Sequence, residues 1–183
     1  MIILVVADIR LDDIRRRNMK QNYIINKNTM YLIMRKNPET NEDYTTVVEK
    51  DMTFDVLKNL DEITACSLRY YEEDKTSNSN VLKDFFGQKK LPLLISFDNY
   101  LVFINATLSS RNKEKILISN EWINMIRPVG NKTQIKFKNG MFKTISQSIH
   151  VITKQQLLCY SVIGVVGDAK RKGVWQDNQV KCL

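Results

Sequence analysis

The sequence predicts an α+β fold: small antiparallel β-sheet(s) with a packed C-terminal helix and at least one further helix. Three observations carry this prediction. Residues 133–138 alternate Gln134, Lys136 and Lys138 with Ile135 and Phe137, run into Asn139-Gly140, and continue in a β-prone stretch ending at Ile145, the pattern of a hairpin. Residues 91–95 and 100–104 are short, nearly continuous apolar runs, as buried strands are. Ile149, Ile152, Gln156, Tyr160 and Ile163 then recur at helical spacing, predicting a terminal helix packed on the sheet.

In chain order, residues 1–7 are apolar but too short to span a bilayer and lack the leading positive charges of a signal peptide. They suit a buried strand. Arg15, Arg16 and Arg17 stand just before Met19, and a purine-rich ribosome-binding sequence read in frame yields such a run, so Met19 is a candidate start. Residues 23–25, 30–34 and 44–48 predict strands, with a polar turn at 26–28 and a surface loop at 37–43 holding Pro38 and three acids. Phe54, Val56, Leu57, Leu60, Ile63, Cys66 and Leu68 predict a helix, followed by a solvated turn at Glu72, Glu73 and Asp74.

Pro92 keeps residues 91–95 out of a helix interior and assigns them to an edge or entry strand. After a turn at 97–99, residues 100–104 form a strand buried on both faces, and 105–110 break it. The break holds Thr107, Ser109 and Ser110, hydroxyls able to bond phosphate oxygens, followed by Arg111, Lys113 and Lys115 with Glu114 alone against them. Trp122 reads as a core anchor. Asn139-Gly140 suits the two positive φ angles of a type I′ turn, which places Lys136, Lys138 and Lys143 together on the solvent face of one ribbon. Ser146 or Ser148, or Thr153 with Gln156, caps the last helix, and Gly164 is its predicted C-terminal stop.

At 183 residues, 43% of them hydrophobic, the chain suffices for one domain with a core, with or without tails. Its net charge of +8 favours an anionic partner. The distribution is sharper than the total. Residues 39–62 hold eight acids against Lys50 and Lys58, a net of −6, whereas residues 83–143 hold eleven Lys and Arg against four acids, a net of +7. Such segregation is the electrostatic footprint of nucleic-acid binding, because counterion release scales with the phosphates neutralised.

Catalytic signatures are missing from the sequence: there is no GxSxG elbow, no GxxxxGK[ST] phosphate loop and no HExxH helix. Gly164 with Gly167 makes no dinucleotide fingerprint, because no acidic ribose partner or βαβ unit follows. Consecutive acids at 72–74 cannot all face one cation. No catalytic residue, metal ligand or cofactor is assigned. Cys66, Cys159 and Cys182 are odd in number and widely spaced, which suggests neither a disulfide framework nor a zinc site and points to the cytosol. Cys66 and Cys159 read as small core residues.

Several of these pieces together resemble the bacterial competence transcription factor family, ComK. The resemblance runs through Glu49-Lys50-Asp51, Ser67 beside Cys66, Lys90-Leu91-Pro92, the segment 103–110 ending Thr-Leu-Ser-Ser, Trp122-Ile123, Phe137 with Asn139-Gly140, and Ile145-Ser146, and it covers roughly residues 44–163. This chain departs from the family at 70–80, acidic and then polar where members tend to be Gly- and Arg/Lys-rich, and at Asn105-Ala106, where a Pro usually precedes the Thr. Its C-terminus is also short and different.

The resemblance implies a DNA-binding transcriptional activator of competence (DNA-uptake) genes, cytoplasmic and nucleoid-associated. It implies binding to paired A/T-rich promoter boxes in double-stranded DNA, largely through the minor groove. Dimers that form a tetramer, recruitment of RNA polymerase and control by a protease adaptor come with it; a membrane partner does not. The expected contacts are Thr107, Ser109, Ser110, Arg111, Lys113 and Lys115 in the loop and Lys136, Lys138 and Lys143 on phosphates. Residues 1–18 are then an N-terminal extension, 19–164 the DNA-binding domain and 165–183 a flexible tail. The order of strands followed by an amphipathic helix also fits a second reading: a non-enzymatic adaptor with a pleckstrin-homology-like layout, whose basic ribbon meets a protein or an anionic membrane.

Overall fold

The computed structural model describes residues 19–73, 80, 82–84, 86, 87, 90–109 and 114–171. Six strands, β1 (Thr29–Lys36), β2 (Asp43–Glu49), β3 (Thr53–Val56), β4 (Leu93–Ser96), β5 (Leu101–Ser109) and β6 (Glu114–Ser119), pair in the order β3-β2-β1-β6-β5-β4. Every pairing in this sheet is antiparallel. Beyond a 3₁₀ turn at Asn120–Trp122, β7 (Ile123–Val129), β8 (Lys132–Phe137) and β9 (Phe142–Ile145) form a separate antiparallel sheet of three. Helices α1 (Leu60–Tyr70) and α2 (Ile149–Arg171) complete the labelled elements, and residues 80, 82–84 and 86 are also helical. The α+β class and the packed terminal helix expected from the sequence are both present.

The large sheet separates two cores, because strand residues alternate between its faces. On one face, Leu32, Phe103 and Leu117 pack with Ile25 and with Leu60 and Ile63 of α1. On the other, Tyr31, Ile104 and Ile118 meet Ile135 and Phe137 of β8 and Ile152 and Val162 of α2. Burying both faces explains the nearly continuous apolarity of Leu101, Val102, Phe103 and Ile104, all buried. Pro92 directly precedes β4, which lies at the sheet edge as its proline requires.

Some predicted elements are corrected. Tyr23 and Ile25 are buried, but residues 23–25 form no strand; instead the Ile25 N–H donates to Ser67 Oγ at 2.9 Å and the Tyr23 hydroxyl donates to Glu49 Oε1 at 2.7 Å. Phe54 and Val56 belong to β3, opposite Val47 and Thr45, not to a helix. The helix begins at Leu60 because Asn59 and Glu62 form a capping box, Asn59 Oδ1 accepting from the Glu62 N–H at 2.9 Å and Glu62 Oε2 from the Asn59 N–H at 2.8 Å. Cys66 is only half-buried, with Lys58 Nζ and Arg69 Nη2 each 3.5 Å from its sulfur, whereas Cys159 is fully buried.

Residues 105–109 do not break β5. Their ladder to β6 continues through Thr107↔Lys115 to Ser109↔Glu114, with a bulge between, so the polar side chains there are strand residues. The β8–β9 turn is not type I′: only Gly140 has positive φ, +89°, and the Phe137 N–H donates across the loop to Met141 O at 2.8 Å. A three-residue loop ending in a left-handed residue has this form. Asn139 serves differently, its Oδ1 accepting from the Met141 N–H at 3.1 Å.

Ser148 immediately precedes α2, so the start at Thr153 is excluded. The buried stripe is Ile152, Gln155, Leu158, Cys159 and Val162, turned away from the predicted one, and Tyr160 is 54% exposed. Gly164 does not end the helix, which keeps Gly164 at negative φ and runs on to Arg171. Glycine inside a helix costs about 1 kcal/mol against alanine. Packing of Val162 and Ile163 on the core outweighs that here.

Candidate nucleic-acid interface

Thr107 and Lys115 face each other directly near the loop end of the β5–β6 hairpin, two residues of the predicted contact set brought together by strand register. Lys115 Nζ lies 4.0 Å from Asp61 Oδ2 of α1, both side chains well exposed. Ser109 stands opposite Glu114, whose Oε1 is 2.9 Å from Arg35 Nη1. Ser110, Arg111 and Lys113 lie outside the described residues.

This hairpin end is tied to the small sheet. The Thr107 N–H donates to Gln147 Oε1 at 2.9 Å, and Thr107 O accepts from the Ser146 N–H at 3.2 Å and from Ser146 Oγ at 3.0 Å. Thr133 Oγ1 donates in turn to Gln147 O at 2.7 Å. The β8 residue beside Lys132 is therefore anchored to the same link as Thr107, which brings the start of β8 and the β5–β6 hairpin to one end of the molecule.

The three ribbon lysines separate. Lys136 pairs with Phe142 and points outward, away from buried Ile135 and Phe137. Lys143 pairs with Ile135 and so belongs to the opposite, core-facing side, which corrects its predicted place on the solvent face. Its Nζ sits 5.6 Å from the centre of the Tyr31 ring. Burial, then the nearby Arg35 charge, hold its ammonium pKa below the usual lysine value, with Glu114 pulling the other way. Lys138 lies in the hairpin loop, its Nζ 2.6 Å from Glu121 Oε1. Trp122 is half-buried against the core and its Nε1 donates to Lys27 O at 2.8 Å, an anchoring role as expected.

The outward side of the small sheet collects residues the sequence reading had not joined. Met125, Arg127 and Val129 of β7 stand opposite Lys136, Gln134 and Lys132 of β8, with Phe142 and Thr144 of β9 completing the rows. Met125, Val129 and Phe142 are 51%, 45% and 50% exposed. Phe142 carries two cations, with Arg127 Cζ 5.6 Å and Lys136 Nζ 5.7 Å from its ring centre. Arg127 Nε donates to Gln134 Oε1 at 2.8 Å, which aims its guanidinium along the face. No Asp or Glu occupies these outward positions. Alternation at 132–137 was legible and would have reached Lys132; Pro128 and the bulge between Ile123 and Met125 hid the same period in β7.

Elsewhere, Glu72 has φ +57° and Glu73 Oε1 accepts from the Phe97 N–H at 2.8 Å, so this acidic turn braces the β4–β5 connection. Among the described residues no group of three or more His, Cys, Asp or Glu is arranged to hold a metal ion, and no helix is long and apolar enough to cross a membrane.

Against known families, the ComK protein family matches residues 20–164, from the segment before β1 to Gly164 of α2. This chain belongs to the ComK family. At family level it is a competence transcription factor. The ComK match takes in both sheets, the β5–β6 hairpin and the outward face just described. Comparison with curated proteins and with solved structures gave no match.

Proposed function

We propose that the protein is a DNA-binding activator of DNA-uptake genes that binds paired A/T-rich promoter boxes through the minor groove and through phosphate contacts. The observation that carries the reading is the outward face of the small sheet, where Arg127, Lys132 and Lys136 share one surface with no carboxylate. Narrow A-tract grooves concentrate negative potential and attract cations, so a rigid cationic sheet reads groove shape without base-edge hydrogen bonds. ComK family membership supports the same class of target.

In this proposal residues 19–164 are the DNA-binding domain. Thr107, Ser109, Ser110, Arg111, Lys113 and Lys115 supply contacts at the β5–β6 end, and Lys136 and Lys138 supply phosphate contacts from the ribbon. Lys143, turned to the core-facing side over Tyr31, is left out of the phosphate contacts. The protein works as a dimer or tetramer on the nucleoid, with RNA polymerase and a protease adaptor as partners.

A mobility-shift titration at two salt concentrations tests this, with a duplex carrying two A/T boxes, a scrambled duplex of equal composition and a G+C-rich duplex. Box-selective, salt-sensitive retardation, weakened in an Arg127, Lys132, Lys136 triple-Ala variant and in an Arg111, Lys113, Lys115 triple-Ala variant, is expected. Equal or absent binding to all three duplexes overturns it.

A further inference from the structure

Phe142 is a large aromatic that the fold leaves half in water although it sits in a regular strand. It has company. Met125 and Val129 on the same face and Met141 beside Phe142 in the chain are each more than two-fifths exposed. Exposed apolar groups gathered on one face mark contact surfaces more often than scattered ones do. Their arrangement with the cations is specific, because one cross-strand row reads Met125, Lys136, Phe142 and the next begins with Arg127.

Two kinds of surface carry fixed negative charge beside apolar matter: an anionic bilayer and a nucleic-acid duplex. Insertion into a bilayer keeps cations at the headgroups and apolar side chains below them. Here Lys136 is flanked on both sides by the apolar groups, so burying Met125 and Phe142 in hydrocarbon would carry its ammonium down with them and strip it of water. A duplex groove has the opposite geometry. Its apolar base stack is reached between two rails of phosphates, so cations and an apolar side chain on one row are satisfied together.

We infer that Phe142 acts as a wedge, entering a base step from the minor groove of a bound duplex with Met125 beside it, while Arg127, Lys132 and Lys136 hold the flanking phosphates. The inference rests on the DNA-binding reading above and adds a physical event to it: local unstacking. Flexible pyrimidine–purine steps within or beside an A/T box are the favoured entry points, because they open at least cost. The two cations near the Phe142 ring hold it in place for entry.

The experiment places 2-aminopurine, which brightens on unstacking, at successive positions of a two-box duplex. Binding is measured for the full chain and for Phe142→Ala, Phe142→Trp and Lys136→Ala, each first checked for native circular dichroism. The wild type is expected to brighten the probe at one or two positions only. Phe142→Ala keeps box preference and salt slope but binds about 5- to 100-fold more weakly, the range stacking of one side chain supplies, and loses the brightening. Phe142→Trp restores it, and Lys136→Ala keeps it while lowering the salt slope by about one. Box-selective binding without brightening, or brightening undiminished in Phe142→Ala, overturns the wedge and leaves the DNA-binding reading standing. Absence of box-selective binding by the wild type overturns both. Phenylalanine-dependent binding to phosphatidylserine vesicles without duplex binding would assign the face to a membrane and also overturn the wedge.

Discussion

Lys143 stands directly opposite Ile135 across the β8–β9 ladder, and that single register relationship turns its ammonium inward over the Tyr31 ring while Phe142 takes the outward position beside Lys136. Two lysines on one ribbon therefore have different environments. Lys136→Ala is expected to lower the salt dependence of DNA affinity by about one unit of log–log slope, the loss of one phosphate contact. Lys143→Met should leave the slope nearly unchanged and keep or raise the thermal midpoint, because it removes a cation that burial and Arg35 already disfavour. Equal slope changes in the two variants would show that the register argument fails.

Gln147 is the hinge pin between the sheets, its side chain accepting from the Thr107 N–H and its carbonyl from Thr133 Oγ1. Gln147→Ala strands a partly buried N–H and should cost about 1–3 kcal/mol, read as a lower denaturant midpoint. Gln147→Glu keeps an acceptor and should recover most of that loss near neutral pH.

Gly140 adopts φ +89° with no atom within 4 Å of where a Cβ would stand. Its requirement is therefore conformational alone. Gly140→Ala should destabilise by about 1–2 kcal/mol, lowering Tm by roughly 2–8 °C. Asn139→Gly tests the other half of the pair. It removes the Asn139 side-chain bonds to the Met141 N–H and to Lys50 O at 3.3 Å, so it should also destabilise, although a type I′ turn would tolerate it.

Cys159 lies on the buried face of α2, and burial pushes its thiol up to about 12 from an ordinary 9.0. The folded state thus binds a proton that the unfolded chain releases above pH 9. Stability is fully present below that pH and declines as pH climbs towards 12, and Tyr23, raised above its ordinary 10.0 by burial, acts in the same direction. Urea midpoints between pH 8 and 10.5 should fall, less steeply in Cys159→Ala. In native protein at pH 8 a thiol reagent should modify Cys66 and leave Cys159 untouched until denaturant is added.

Much of the β structure was legible locally. Alternation exposed β8, apolar runs exposed β5 and β6's partner strands near Tyr31, and Pro92 placed β4 at an edge, because each signal depends on neighbours close in sequence. Signals that failed were those whose meaning depends on distant partners. Phe54 and Val56 carry helical spacing with Leu60, yet pairing with β2 makes them a strand; Gly164 looks like a stop, yet packing of Val162 carries the helix past it. Of the predicted contact residues, Thr107, Ser109 and Lys115 read locally as loop, since only the ladder between β5 and β6 shows them as strand.

The amino-acid sequence by itself determined the α+β class, the segregation of acidic 39–62 from basic 83–143, the Asn139-Gly140 hairpin and the ComK resemblance, all of them properties of residue type and short-range order. Only the tertiary structure decided which side of the ribbon each lysine takes, that Arg127, Lys132 and Lys136 share an acid-free face, and that Phe142 stands exposed within reach of two of them. The physical reason is register. A strand's side chains alternate with a period of two, so one residue of slip in pairing exchanges core for surface, and slip is set by bulges, loop length and contacts with a second sheet that no local pattern encodes.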